Sequence, residues 1–138
     1  LKKKTKKIPI CIVRIFSYTH RKQNINFLVP SILKKIKMKK IQNFERLNHL
    51  RDFIHISDIH TSFKLLFNKR SVGIFNIASG NSIKISKIAK YFAKKFKTKA
   101  FVKETKIETI HRANIEKIKK LGWRPKKKLY NILIDFIK

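Results

Sequence analysis

The sequence predicts an α/β fold, and three observations carry that prediction. Runs rich in β-branched and aromatic residues alternate with segments whose apolar residues recur every three or four positions, the alternation expected of strands joined by helices. The runs at 8–16 (IPICIVRIF) and 72–77 (VGIFNI) are nearly continuously apolar, as in strands of a parallel sheet covered on both faces. The 138 residues, 43% of them hydrophobic, suffice for one domain with a real core and leave no room for a second.

Taken in order, residues 1–7 (LKKKTKK) read as a basic, solvated tail. Residues 8–16 read as a strand buried on both faces, with Arg14, its single charge, near the strand end and facing an anion or carboxylate. Residues 17–26 are polar and read as loop. Leu28, Ile32 and Ile36 repeat every fourth residue, which predicts a helix over 27–38 with Pro30 in its first turn. Residues 51–56 (RDFIHI) read as a short strand. Ser57 caps the helix that follows, and Asp58 in its first turn complements the dipole. Ile59, Phe63, Leu66 and Phe67 form one apolar stripe on that helix. The strand at 72–77 ends at a Ser79-Gly80 turn, and Ile85, Ile88, Ala89, Phe92 and Phe96 make a second stripe. Residues 100–103 read as a short strand. Asn114 can cap a helix that stops at Gly122, a residue suited to the left-handed position after a helix end. Leu129, Ile132, Leu133, Phe136 and Ile137 outline a last amphipathic helix. No internal repeat or linker interrupts this order.

The charge is extreme: 36 Lys plus Arg against 7 Asp plus Glu give +29. Such a balance ordinarily points to nucleic acid or an anionic membrane. Here the basic residues are overwhelmingly Lys and are spread along the whole chain, while Arg, the better phosphate-forking residue, is scarce. Ile, Lys, Asn and Phe, all favoured by AT-rich codons, are abundant together. Composition therefore explains the charge better than a dedicated polyanion site, and nucleic acid is not an expected partner. The three glycines, at 73, 80 and 122, are too dispersed for a dinucleotide-binding loop or a P-loop. One cysteine excludes a disulfide framework and a cysteine-based zinc site, and no metal ligand set is assigned. No apolar run approaches the roughly 18 residues of a membrane span, and no secretory signal stands at the start. The expected location is the cytoplasm. The chain begins with Leu rather than Met, which suggests a fragment or a processed product.

Four segments in order carry a resemblance. Residues 14–16 (RIF) end the first strand; residues 51–59 (RDFIHISDI) follow a helix; residues 75–80 (FNIASG) precede another; residues 121–125 (LGWRP) stand near the end. Together these resemble the C-terminal half of the NAD-dependent epimerase/dehydratase family, the extended short-chain dehydrogenases that act on nucleotide sugars. The resemblance runs from about residue 8 to the end. It implies the late strands of a Rossmann-type sheet plus a small α/β substrate-binding domain over 8–138, with the N-terminal NAD-binding half, its glycine-rich loop and its Tyr-x-x-x-Lys pair absent. It further implies NAD or NADP as the cofactor of the full-length parent, none bound by this chain alone, a reaction that starts with hydride transfer from the sugar, and a homodimeric parent whose dimer helices lie mainly in the other half.

The same resemblance implies the site residues. Arg51 corresponds to an arginine that contacts the substrate diphosphate, and a permanently charged guanidinium with paired donors suits phosphate oxygens. Its alternative is an ion pair with Asp52 or Asp58 that fixes a turn. Asp52 is expected to orient Arg51, and His55 to be packed rather than chemical. Ser17 stands where the family usually has a phosphate-contacting Asn, and retains one donor with shorter reach. Asn26, Phe27 and Leu28 match the segment that opens the next helix and lines the nucleotide site, with backbone N–H groups able to face phosphate. A second phosphate-binding Arg falls by spacing near Glu104, the wrong charge, with Lys103 or Lys106 as substitutes. Substrate binding is therefore assigned to Arg51, Ser17, Asn26 and Leu28, and no catalytic residue is assigned. Tyr18 and Lys22 have the spacing of the catalytic pair, but that pair needs one helix face, and here it falls in a polar loop after a strand. Two alternatives stand beside this reading: a basic nucleic-acid-binding module, and an inactive relic of the enzyme. Without its other half the chain is expected to expose the apolar sides of 8–16 and 72–77 and to be marginally stable or prone to aggregate.

Overall fold

The computed structural model describes residues 8–38, 40–103, 106 and 109–137. The basic tail assigned to 1–7 and the position of Glu104 lie outside the described residues. In chain order the elements are β1 (Cys11–Ile15), β2 (Ser17–Thr19), α1 (Leu28–Met38), β3 (Ile41–Phe44), β4 (Leu50–His55), α2 (Ile56–Asn68), β5 (Gly73–Ile77), β6 (Ser82–Lys84), α3 (Ile85–Lys95), β7 (Lys99–Val102), β8 (Ile110–His111), α4 (Glu116–Lys120) and α5 (Leu129–Ile134). The α/β prediction holds.

Three small sheets organise the chain. β1 pairs in parallel with β5, and β3 in parallel with β7. The third sheet is built on β4, which takes β2 and β8 in parallel and β6 antiparallel. Leu50 and Arg51 pair with both β6 and β8, so those two strands lie on opposite edges of β4.

β4 also divides the apolar interior. Phe53 belongs to a core made by Val29, Ile32, Leu33 and Ile36 of α1 with Ile85, Ile88, Ala89 and Phe92 of α3. The next residue, Ile54, belongs to a second core with Ile59 and Leu66 of α2, Phe75 and Ile77 of β5, and Ile118 and Trp123. Successive side chains on a strand point to opposite faces, so one strand serves as the wall between two cores. Asp58 and Trp123 tie the C-terminal segment down: Asp58 Oδ2 accepts the Lys127 N–H at 2.9 Å, and Trp123 Nε1–H donates to the Thr61 hydroxyl at 3.0 Å.

Helix ends follow local chemistry. The α2 cap is His55, not Ser57: β4 runs directly into the helix, and the His55 ring nitrogen accepts the Ser57 N–H at 3.1 Å. The α4 cap is Ile115, not Asn114; Asn114 stands one residue earlier, where its side chain accepts the Glu116 N–H at 2.9 Å. After α4, Gly122 adopts φ +95°, and Trp123 N–H reaches back to Ile118 O. Two helices end in the same way without glycine. Arg70 (φ +46°) follows α2 with Ser71 N–H on Leu66 O, and Lys97 (φ +51°) follows α3 with Thr98 N–H on Ala93 O.

Several expectations are corrected. Residues 17–19 are not loop but strand, paired to 53–55. The strands at 41–44, 82–84 and 110–111 escape the sequence pattern, because each is short and is defined by its partner rather than by its own residues. β1 is not buried on both faces: β5 is its one strand neighbour among the described residues, and Ile12 and Ile15 remain 49% and 43% exposed. Arg14 has no ion pair among the described residues; its register partner is Asn76. The expected exposure of 72–77 holds for Val72 and Ile74, whereas Phe75 and Ile77 are buried.

Candidate functional site

The arginine of the Arg-Asp-Phe stretch and its acidic neighbour point in different directions. Asp52 is fully buried, and its carboxylate accepts Ser79 N–H, Ser79 hydroxyl and Gly80 N–H at 2.8, 2.6 and 2.9 Å. It fixes the turn after β5 and does not orient Arg51. No Arg51 ion pair with Asp52 or Asp58 forms among the described residues.

Arg51, one residue earlier on the opposite face of β4, lines a cavity of about 250 Å³ together with Phe16, Ser17, Tyr18, Thr19, Gln23, Phe27, Leu28, Val29 and Phe53. The parallel pairing of β2 with β4 sets Ser17 beside Phe53 and forms one wall. The start of α1 forms another. Arg51 is half-buried and held from behind: Nη1 donates to Leu50 O at 3.0 Å and to the Thr109 hydroxyl at 2.7 Å. That hydroxyl lies 3.0 Å from His49 Nδ1. The Nε and Nη2 donors have no partner among the described residues.

α1 adds to the same cavity. The first amides of a helix have no acceptor four residues back, and its first turn here contains Pro30, which has no N–H. The first helical bond in this stretch runs from Ser31 N–H to Phe27 O, so the Leu28 and Val29 N–H groups remain unused at the helix end that lines the cavity. Thus Ser17, Leu28 and Arg51 are brought together. Asn26 is not among the lining residues; it is exposed in the preceding turn, where its N–H donates to the Asn24 side chain at 2.9 Å. Tyr18 lies on β2 and Lys22 in the turn beyond it, so the two do not share a helix face. Thr109, which sequence reasoning misses, meets Arg51 across 58 residues, and no local pattern signals that contact. Phe27 lines the cavity as the resemblance implies, whereas the wall residues Tyr18 and Gln23 are missed because 17–26 reads as loop.

Comparison with known proteins decides the family. A family model described as GDP-mannose 4,6 dehydratase matches residues 2–135. The chain belongs to that family. Its structural relatives agree. The Pseudomonas aeruginosa protein RMD, in a complex with NADPH, superposes with a TM-score of 0.80 at 16% identity, covering 92% of this chain and 46% of that one. MoeE5, in complex with UDP-glucose and NAD, gives 0.77 at 17% identity, covering 94% and 46%. The dTDP-glucose 4,6-dehydratase of Bacillus anthracis, in complex with NAD, gives 0.76 at 17% identity, covering 92% and 43%. The likeness establishes the fold as the C-terminal part of a Rossmann-type extended short-chain dehydrogenase. The chain spans less than half the length of these matched structures. No curated protein matches in sequence.

The GDP-mannose 4,6-dehydratase family implies a dinucleotide cofactor, and the residues present do not fit its phosphate site. Gly73 opens β5, Gly80 lies in the turn held by Asp52, and Gly122 follows α4. No glycine-rich turn joins a strand to a helix among the described residues. No cluster of metal-ligating side chains and no helix long and apolar enough to cross a membrane occur among them either.

Proposed function

We propose that residues 8–138 are the substrate-binding portion of a nucleotide-sugar dehydratase or epimerase, and that the Arg51 cavity takes the nucleoside diphosphate moiety. The observation that carries this reading is the convergence of three donor sets on one cavity. These are the unused nitrogens of Arg51, the Ser17 hydroxyl, and the Leu28 and Val29 N–H groups at the start of α1. A diphosphate is the ligand such a set suits, because charge-assisted bonds from a guanidinium and amide donors at a helix start both favour anionic oxygens. Phe16, Tyr18 and Phe27 supply apolar wall beside the donors, as a nucleoside would need. Asn26, in the turn that leads into α1, is a peripheral contact in this reading. MoeE5, of matching fold, binds UDP-glucose. On this reading the chain binds and orients the sugar nucleotide, while the hydride acceptor and the catalytic base belong to the half it does not span.

Titration with UDP-glucose, followed by calorimetry, tests the proposal. Arg51→Ala should weaken binding by about tenfold or more, the effect of one lost charge-assisted contact. Equal affinity in the variant would refute it. The nucleic-acid alternative predicts instead that binding to single-stranded DNA falls steeply with salt, in proportion to the phosphates neutralised, and does not depend on Arg51.

A further inference from the structure

We infer that the cavity between α3 and the segment leading into α5 is a second anion-binding site, separate from the Arg51 cavity, and that it takes a phosphorylated small molecule with an aromatic body.

This cavity measures about 500 Å³, against about 250 Å³ for the Arg51 cavity, and falls in the size range of small-molecule pockets. Lys87 of α3 and Lys126, Lys127 and Lys128 of the segment before α5 stand around it. No Asp or Glu is in its wall. None of the four lysines has an ion pair among the described residues. Lysines are spread along the whole chain, yet the Arg51 cavity has none in its wall. Four like charges around one hollow repel one another, and an anion that enters relieves the repulsion. Lysine, a compact point charge on a flexible stem, suits a cluster of phosphate oxygens.

Both rims are fixed from behind. On one side, Asp52 holds Ser79 and Gly80, the turn that leads to Asn81 in the wall. On the other, Lys127 N–H donates to Asp58 Oδ2 at 2.9 Å. These two carboxylates are buried and engaged by backbone donors of the rims, so neither pairs with an ammonium group at the cavity. A rim already in place spares a ligand the cost of ordering the chain. The rest of the wall is apolar: Phe53 is buried, Ile83 and Leu129 are half-buried, and the exposed Tyr130 ring lies 5.4 Å from that of Tyr91. An aromatic body has surface to cover there. The two cavities share one wall residue, Phe53, and no cationic group, so they can be tested apart.

The test uses the protein as its source cell makes it, with ATP as the probe. A short pulse of acetic anhydride acetylates the lysines, and peptide mass spectrometry reads each one with and without ATP. Lys87, Lys126, Lys127 and Lys128 should lose most of their reactivity when ATP is present, while Lys34, Lys35 and Lys37 of α1 keep theirs. The triple variant Lys87→Gln/Lys126→Gln/Lys128→Gln should bind ATP about tenfold or more weakly. The variant Lys34→Gln/Lys35→Gln/Lys37→Gln removes the same charge elsewhere and should change affinity by less than about twofold, because salt screens distant exposed charges. Inorganic triphosphate, which lacks the ring, should bind about tenfold more weakly than ATP. The inference is overturned by equal protection of all lysines, by no protection of the four, or by equal losses in the two triple variants. Triphosphate that binds as tightly as ATP overturns the aromatic body. Protection by ATP should persist in Arg51→Ala; its loss there would place ATP in the Arg51 cavity and refute the second site. UDP-glucose binding measured alongside keeps the two proposals apart. Unprotected lysines with intact UDP-glucose binding sink only the second site, and protected lysines without UDP-glucose binding sink only the Arg51 reading.

Discussion

Asp52 Oδ1 accepts two hydrogen bonds from Ser79, one from its N–H at 2.8 Å and one from its hydroxyl at 2.6 Å. With Gly80 N–H on the other oxygen, a single buried carboxylate replaces the strand pairing that the turn after β5 lacks. Removing it strands several donors at once. Asp52→Ala should destabilise the fold by about 3 kcal/mol, the range for leaving buried partners of a charged group unsatisfied. Urea unfolding of the chain and the variant measures this. A change under about 1 kcal/mol would mean that water replaces the carboxylate.

Thr109 should matter to ligand binding without touching ligand. Its hydroxyl holds Arg51 Nη1 at 2.7 Å, so Thr109→Val removes one of the two acceptors that restrain the guanidinium and leaves Leu50 O. One hydrogen bond of about 1 kcal/mol corresponds to roughly a fivefold loss of UDP-glucose affinity. The loss should disappear in the Arg51→Ala background. A Thr109→Val effect that persists there shows that Thr109 acts on something other than Arg51.

Arg70 and Lys97 occupy the left-handed position after α2 and α3, with φ of +46° and +51°. An L side chain there costs about 1 kcal/mol that glycine does not. Lys97→Gly and Arg70→Gly should each raise stability by about that amount, visible as a higher denaturation midpoint. Lower midpoints would show that the long side chains contribute packing that outweighs the strain.

The Lys119 ammonium donates to Glu116 at 2.7 Å, and this hydrogen bond, with the charge behind it, holds the Glu116 carboxyl below the usual glutamate range. A depressed folded-state pKa adds stability above the unfolded value, which is lost as pH falls through the folded value. Glu116 is exposed and Lys119 half-buried, so solvent screens the pair and the effect on folding should be slight. An NMR titration should show the low midpoint, and Lys119→Ala should return it upward. An unmoved midpoint in that variant would assign the depression to another cation.

What the sequence reveals depends on where each signal originates. The stripes of α1 and α3 are legible because a repeat of Leu28, Ile32, Ile36 or of Ile88, Phe92 is a property of the segment itself. So is Gly122, whose backbone need is local. β2 and β8 are illegible because Ser17–Thr19 and Ile110–His111 become strands only by lying against β4. β1 misleads for the opposite reason. Its residues are those of a covered strand, while among the described residues β5 is its one strand neighbour. In the candidate site, Arg51, Ser17 and Leu28 are reachable through their motif neighbours. Asp52 is misjudged because its partners lie 27 and 28 residues away, a distance that no reading of adjacent residues spans.

The placement of Phe53 and Ile54 on opposite sides of β4 gives this segment the character of a parity check. A point substitution among the exposed lysines changes one contact with water. An insertion or deletion of a single residue between Leu50 and His55 reverses every assignment beyond it. Such a frame change would move Asp52 toward the α1–α3 interior and Arg51 toward the interior of α2 and β5. It would empty the cavity of its cation and leave the Ser79–Gly80 turn without its carboxylate. Tolerance to change in this protein should therefore be judged by length as well as by residue type, and over the Leu50–His55 strand length is the stricter limit.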